Sequence, residues 1–482
     1  MISSPTSLTI ENREARRLFF AIFIVMGSCF AAAAGASAAD QTLQPGVVLP
    51  KVTTLKQAEQ SYALYLPSDY SAAKSWPIIY VFEPGARGRV PVDLMKDAAE
   101  KFGYIVAASN NSRNGSWKLE SEAAEAVFQD SHTRLSINER RIYFAGFSGG
   151  SRVAATLAQR CNCSAGVILA GAAFEPDAKH AQNAFPVFSA IGSFDFNYGE
   201  MIALDEALEK LKTPHFLRRF EGPHEWPVAS VYEEALAWLG LEGIKSGRAA
   251  RDNSFISSRL GLENKRAEEW EKSEPFAAWF EYRQAAETFE GLADVTELRA
   301  RQKSLESSKV VLDAAKHEKQ EIKEQQEISA DVYNAMGALA NRDPANDSPQ
   351  AAVRNDVLQQ ILTLKNRADH EKRPEKARVL KRALAGVFVT AMESGQGRVT
   401  AGDSRRAKDY FELAAAAMPD SVWALTSLAT AQAAEGDKKG AIETLRHVKE
   451  KWTDGQAFLE WLNAQAAFAK FHETADFRAL LQ

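Results

Sequence analysis

Cysteine is scarce in this chain, with three in 482 residues. That is too few to build a zinc site by themselves. An excess of positive charge is also missing. Lys and Arg number 58 against 63 Asp and Glu, a formal net charge of -5, which argues against nucleic acid or an anionic membrane as the main partner. Long apolar runs are missing as well. The apolar stretch Leu18 to Phe30 is too short for a comfortable membrane span. What remains is globular in balance, 25% charged and 45% hydrophobic, and long enough for two or three domains.

The N-terminus reads as an export signal over residues 1–39. Arg13, Arg16 and Arg17 form its basic region, Leu18 to Phe30 its apolar core, and Ala36-Ser37-Ala38 its small-residue cleavage pattern, with a cut near Ala38 or Ala39. The alternative is a retained anchor over residues 18–34. A lipidated Cys29 fits less well, because Met26-Gly27-Ser28 is a poor match to the small apolar signal that precedes such a cysteine. Loss of the signal leaves Cys161 and Cys163. In an oxidising compartment they can pair, although a Cys-x-Cys ring is strained; otherwise they are two small buried thiols.

The chemistry lies further on. Arg141-Ile142-Tyr143-Phe144-Ala145 reads as a buried strand, Gly146-Phe147-Ser148-Gly149-Gly150 follows it, and Val153 to Ala158 fits a helix. Gly-x-Ser-x-Gly between strand and helix is the nucleophile elbow, a turn so tight that the flanking residues must lack bulk. An acid and then a histidine follow. The β-prone run Phe185 to Gly192 ends in Ser193-Phe194-Asp195. Met201 to Leu211 is helical, and His215 to Phe220 is a further strand running into Glu221-Gly222-Pro223-His224. Residues just past strand ends share one sheet edge, so Ser148, Asp195 and His224 are expected to converge there. A serine hydroxyl needs a base to take its proton, and imidazole suits that task near neutral pH. A carboxylate fixes the imidazole tautomer. Glu175 and Asp177, after the apolar run Val167 to Ala173, are rival acids.

The oxyanion hole is expected to pair the Gly149 N–H with an N–H of Gly85 or Ala86. These lie in the loop Phe82 to Gly88, after the strand Ile78 to Val81. Arg87, Trp117 and Trp226 are candidate substrate contacts, and Asn110 and Asn111, after the strand Tyr104 to Ala108, are placed to line the site. Acyl transfer of this kind requires no metal or organic cofactor.

Together, Gly-Phe-Ser-Gly-Gly, Gly-Ser-Phe-Asp and Gly-Pro-His-Glu-Trp-Pro resemble the carboxylesterase branch of the α/β-hydrolase superfamily, in particular polyhydroxybutyrate-depolymerase-like, feruloyl-esterase-like and dienelactone-hydrolase-like enzymes. The likeness covers residues 48–242. It implies an eight-stranded, mostly parallel sheet with helices on both faces, a small ester substrate and an acyl-enzyme intermediate. Those esterases usually carry His-Gly or a similar apolar-Gly pair in the oxyanion loop; this chain has Glu83-Pro84-Gly85.

Beyond a linker at 246–253 the chain changes character. It becomes rich in Ala, Glu, Lys, Gln and Leu at helical spacing. Residues 254–385 read as a helical region, a candidate for degenerate repeats, with one long helix over Val295 to Ile328 and a break at Asn341 to Gln350. Over 388–481, Gly402-Asp403 recurs as Gly436-Asp437, Ala407 as Ala441, Phe411 as Leu445 and Ala414 as Val448, each 34 positions apart. That period resembles tetratricopeptide repeats, roughly 388–419 and 422–455, with a closing helix near Gly455 to Leu481. Such repeats either hold a protein or peptide partner or buttress the neighbouring domain. The whole chain therefore reads as an α/β-hydrolase followed by an all-α domain. The leading function is an exported serine esterase. The alternatives are a non-catalytic periplasmic scaffold that binds partners through its helices, and a serine peptidase of the prolyl-oligopeptidase type, against which the short stretch before residue 48 weighs.

Overall fold

Eight strands form one sheet, and its interior explains the sequence pattern. The computed structural model describes residues 41–176, 184–340, 347–452 and 455–480. The expected export signal, anchor and Cys29 all lie outside these residues, as does Asp177. The strands are β1 (Leu49–Thr53), β2 (Ser61–Tyr65), β3 (Trp76–Phe82), β4 (Ile105–Ser109), β5 (Ile137–Phe147), β6 (Ser164–Ala170), β7 (Val187–Gly192) and β8 (His215–Phe220). Their order is β1-β2-β4-β3-β5-β6-β7-β8. The β1–β2 and β2–β4 pairs are antiparallel and every pair from β4 to β8 is parallel. This is the α/β-hydrolase arrangement that the motifs implied.

A parallel sheet is covered on both faces, so β3, β4, β6 and β7 are buried along nearly their whole length rather than alternating, while β5 and β8 carry charged residues toward one end. In β3, Ile78, Tyr80 and Phe82 enter one core, while Ile79 and Val81 enter the other. Helices α1 (Arg89–Phe102) and α5 (Ala229–Lys245) cover the second face with Val92, Met95, Leu236 and Trp238. Helices α2 (Trp117–Arg134), α3 (Gly149–Arg160) and α4 (Tyr198–Lys210) cover the first with Val127, Val153 and Met201.

The helical part is α6 (Asn253–Ser273), α7 (Pro275–Phe289), α8 (Thr296–Glu306), α9 (Lys309–Ala340), α10 (Asp347–His370), α11 (Pro374–Thr400), α12 (Ser404–Ala417), α13 (Val422–Ala434), α14 (Lys438–Lys451) and α15 (Gly455–Ala464), then a 3-10 turn (Ala466–Phe471) and α16 (Ala475–Arg478). Three boundaries differ from expectation. The helix over 295–328 is broken: α8 ends at Glu306, and Ser307 and Ser308 separate it from α9, where a serine side chain competes with the helix for backbone partners. The boundary at 385–388 falls inside α11, a continuous 27-residue helix. The linker at 246–253 does not separate two bodies. Leu43 to Gln482 cluster as one compact unit, and Phe280 of α7 is a full member of the first sheet core, with Trp279 and Ile322 packed against it.

The 34-residue offset marks equivalent turns. Gly402 (φ 74°) and Gly436 (φ 84°) both stand in the left-handed region, where glycine carries no Cβ penalty. Asp403 and Asp437 then cap α12 and α14 by accepting N–H bonds from Arg406 and Gly440. Ala407, Phe411, Ala414, Ala441, Leu445 and Val448 are all buried. No helix among the described residues is long and apolar enough to cross a membrane. Cys161 and Cys163 are bonded to each other in the turn between α3 and β6, half-buried rather than buried as thiols.

Candidate functional site

β5 enters the turn at Phe147, and Ser148 adopts φ 52° and ψ -122°, outside the regions open to an ordinary side chain at low cost. Two close approaches show why glycine flanks it. A Cβ on residue 146 would stand 2.2 Å from the Gly150 carbonyl oxygen, and one on residue 150 would stand 2.0 Å from that of Phe82. The Ser148 N–H donates to the Ala170 carbonyl of β6 at 2.8 Å, which ties the turn to the next strand.

Asp195 follows β7 in the turn that starts α4 and is 1% exposed. Its Oδ1 accepts the Asn197 N–H at 2.8 Å. Its Oδ2 accepts the Nδ1–H of His224, also at 2.8 Å. With Nδ1 protonated, His224 Nε2 is the acceptor for the Ser148 hydroxyl at 2.9 Å. The structure thus brings Ser148, His224 and Asp195 into one hydrogen-bonded chain at the C-terminal edge of the sheet. Glu175 lies exposed in the loop after β6 and takes no part.

The sequence reading missed the rings that hold His224. Phe147 and Phe196 both stand against the imidazole, at centroid distances of 4.7 Å and 4.4 Å. Both neighbour a singled-out residue, Phe147 before Ser148 and Phe196 after Asp195, and adjacency was the only available signal. Trp226 packs on Phe147 at 5.3 Å and on Tyr232 at 6.3 Å, so it backs the ring that supports His224. Trp117 does not reach the site. Its ring lies under the Arg160 guanidinium, at the end of α3 remote from Ser148.

The oxyanion loop departs furthest from expectation. Glu83 is fully buried, and a buried carboxylate must be paired. Its Oε2 accepts the N–H groups of Gly85 at 2.6 Å and Arg87 at 3.1 Å. Its Oε1 accepts both Nε and a terminal nitrogen of Arg87, and its carbonyl accepts the Ala86 N–H at 3.3 Å. Gly85 and Ala86 are therefore committed to Glu83 rather than free for an oxyanion. Arg87 is exposed, but its guanidinium is the counter-ion of Glu83. Gly149 keeps its expected place as the first residue of α3, where N–H groups have no intrahelical acceptor.

The helical layer touches this rim. Asn110 and Asn111 face away from it, bonding to Pro50 and Glu59 near β1 and β2. Asn114 instead lies against Gly149, with its Oδ1 where a Cβ on that residue would be, and its Nδ2 donates to Glu393 of α11 at 3.1 Å. The loop carrying Asp195 is held from the same side. Arg382 of α11, 2% exposed, donates to the Ser193 carbonyl at 2.6 Å and stacks on Tyr198 at 3.6 Å. Gln325 of α9 donates to the Phe196 carbonyl at 2.7 Å. Burial pushes the Tyr198 phenol up to about 12, so it stays protonated and donates to Glu318 of α9.

No protein-family model matches the chain, and no curated protein does. Among solved structures it is similar to a ferulic acid esterase, at 16% identity and a TM-score of 0.34, over 41% of this chain and 98% of that one. It is similar to fluorophosphonate-binding serine hydrolase F of Staphylococcus aureus, at 14% and 0.33, over 40% and 96%. It is also similar to the feruloyl esterase module from Clostridium thermocellum, at 17% and 0.33, over 42% and 91%.

Proposed function

We propose that the protein is an exported serine hydrolase that cleaves a carboxylic ester through an acyl-enzyme. The observation that carries this reading is the hydrogen-bonded chain from Ser148 through His224 to Asp195. In the first half-reaction His224 Nε2 takes the Ser148 proton as Oγ attacks the ester carbonyl, and Asp195 steadies the imidazolium. The tetrahedral oxygen faces the Gly149 N–H at the positive end of α3. His224 returns the proton to the leaving alcohol, and water then releases the acid by the same steps in reverse. Export rests on the basic, apolar and small-residue order of the first 39 residues. The contacts of α9 and α11 with the Asp195 loop favour a buttressing role for the helical layer. The pair of equivalent capped turns supports reading α11 to α14 as tetratricopeptide-like hairpins, whose exposed faces would take a peptide or protein partner.

One observation favours the scaffold alternative: both expected second oxyanion donors are turned to Glu83. Reaction of the full chain with a fluorophosphonate separates the two readings, with hydrolysis of p-nitrophenyl acetate measured in parallel. The esterase reading expects labelling and turnover that Ser148→Ala abolishes. Absence of labelling in the native protein would leave the scaffold.

A further inference from the structure

A second cluster lies at the other end of β8. His215 opens that strand and His224 follows its far end, so roughly 20 Å of extended chain separates them. Facing His215 are Asp205 and Glu209, one turn apart on α4, and Glu287 on α7. One ligand atom from each of Glu209, His215 and Glu287 lies within 4.8 Å of the others, the one such grouping among the described residues. These three side chains border a cavity of about 350 Å³ that also takes in Lys212, Trp238 and Arg299.

His215 Nδ1 lies 2.8 Å from the Thr213 carbonyl oxygen, which can only accept, so Nδ1 holds the proton. In the neutral ring the Nε2 lone pair then points inward. His215 is 8% exposed, and its Nε2 makes no hydrogen bond among the described residues. It stands 3.3 Å from Asp205 Oδ1, which is likewise buried without a hydrogen bond, and 3.7 Å from Glu209 Oε2. Electron-rich atoms this close repel one another unless a positive charge joins them. Arg283 donates to the other oxygen of Asp205, Lys245 to Glu242 and to the Glu287 carbonyl, and Arg299 to Glu290 and Gln302, while Lys212 is exposed at the cavity mouth. A backbone carbonyl that fixes the tautomer is also the usual outer support of a metal-binding histidine.

We propose that Glu209, His215 and Glu287, with Asp205 alongside, bind a divalent transition metal of the Zn²⁺ class. One imidazole with carboxylates suits zinc, whereas Mg²⁺ favours oxygen ligands with retained water. Bound there, the ion clips α4 and β8 to α7, and so joins the sheet to the helical layer. The site is remote from Ser148 and does not depend on the esterase reading.

The test uses the full chain after EDTA treatment and desalting, titrated with ZnCl₂ by calorimetry, with MgCl₂ in parallel and thermal unfolding recorded at each end point. One saturable zinc site with a raised Tm is expected, with little response to magnesium. His215→Ala and Glu287→Gln each weaken binding at least tenfold. Glu290→Gln, which borders the same cavity outside the cluster, leaves it unchanged. Circular dichroism checks that each variant folds; if His215→Ala does not, the isosteric Glu287→Gln decides. No saturable binding by the native chain, or binding unaltered in Glu287→Gln, overturns the site and leaves His215 as a protonated partner of Asp205.

Discussion

Ser148 holds a backbone conformation that costs of order 1–3 kcal/mol for a residue with a side chain. That strain lifts its hydroxyl to the rim within reach of His224. Two variants separate strain from chemistry. Ser148→Gly is expected to abolish fluorophosphonate labelling yet raise stability by about 1 kcal/mol, because glycine relieves the strain; urea unfolding measures it. Gly150→Ala is expected to behave oppositely. Its Cβ would meet a backbone oxygen that cannot move aside, so a loss of roughly 3 kcal/mol or more is expected, read as a shift in the same unfolding curve. In Asp195→Asn the amide oxygen still accepts the Asn197 N–H, so an NH2 donor replaces the oxygen that faces His224 Nδ1 and selects the wrong tautomer; turnover of p-nitrophenyl acetate should fall by roughly 10⁴. These residues were legible in the sequence because the elbow requires glycine at fixed positions and the acid and base follow strand ends. Glu83 was not legible as a loop organiser. Its partners are three N–H groups and a guanidinium, all within four residues of it, and no periodicity announces such a local arrangement.

Among the elements, β8 joins the two parts of the chain. Arg218 on that strand lies between Glu234 of α5 and Glu281 of α7, and Arg266 of α6 reaches the same Glu234 carboxylate. Burial opposes ionisation of Glu234, but Arg218 and then Arg266 outweigh it and hold its carboxyl below the ordinary 4.5. The sign follows from linkage. A lowered folded pKa stabilises the native state fully above the unfolded value, and that stability is lost as pH falls through the folded value. Thermal unfolding followed downward from pH 6 should therefore show Tm declining below about pH 4.5. Arg218→Met should cost roughly 3–5 kcal/mol at neutral pH by leaving buried carboxylates short of a partner, and should weaken the decline in acid. β3, β4, β6 and β7 were readable from continuous apolar runs, and β8 from its place before the Gly222-Pro223 loop, but β1 and β2 were not located, because they are short and β1 is mostly uncovered. The tie to α6 and α7 was not readable. A charge on a helix reads as a solvated face until a partner some 60 positions away is known.

Across the whole molecule, α9 and α11 bear on the loop that carries Asp195. Arg382→Met should lower turnover through misplacement of that loop. It should also cost about 2–4 kcal/mol, because the Ser193 carbonyl loses a charged donor inside the protein. A slower fluorophosphonate reaction at unchanged folded fraction distinguishes displacement of Asp195 from simple unfolding. The sequence separated the α/β part from the helical part by composition alone, and composition follows local secondary structure. It carries no information on which helices later return to cover a sheet. Phe280, Trp279 and Ile322 show the consequence: all three come from beyond the expected linker, yet each packs on the first core. A shortened gene product ending at Lys245 would therefore lack a wall rather than an accessory. It would expose greasy side chains of α4 and β8 to water, and would be recovered as aggregate instead of a minimal enzyme.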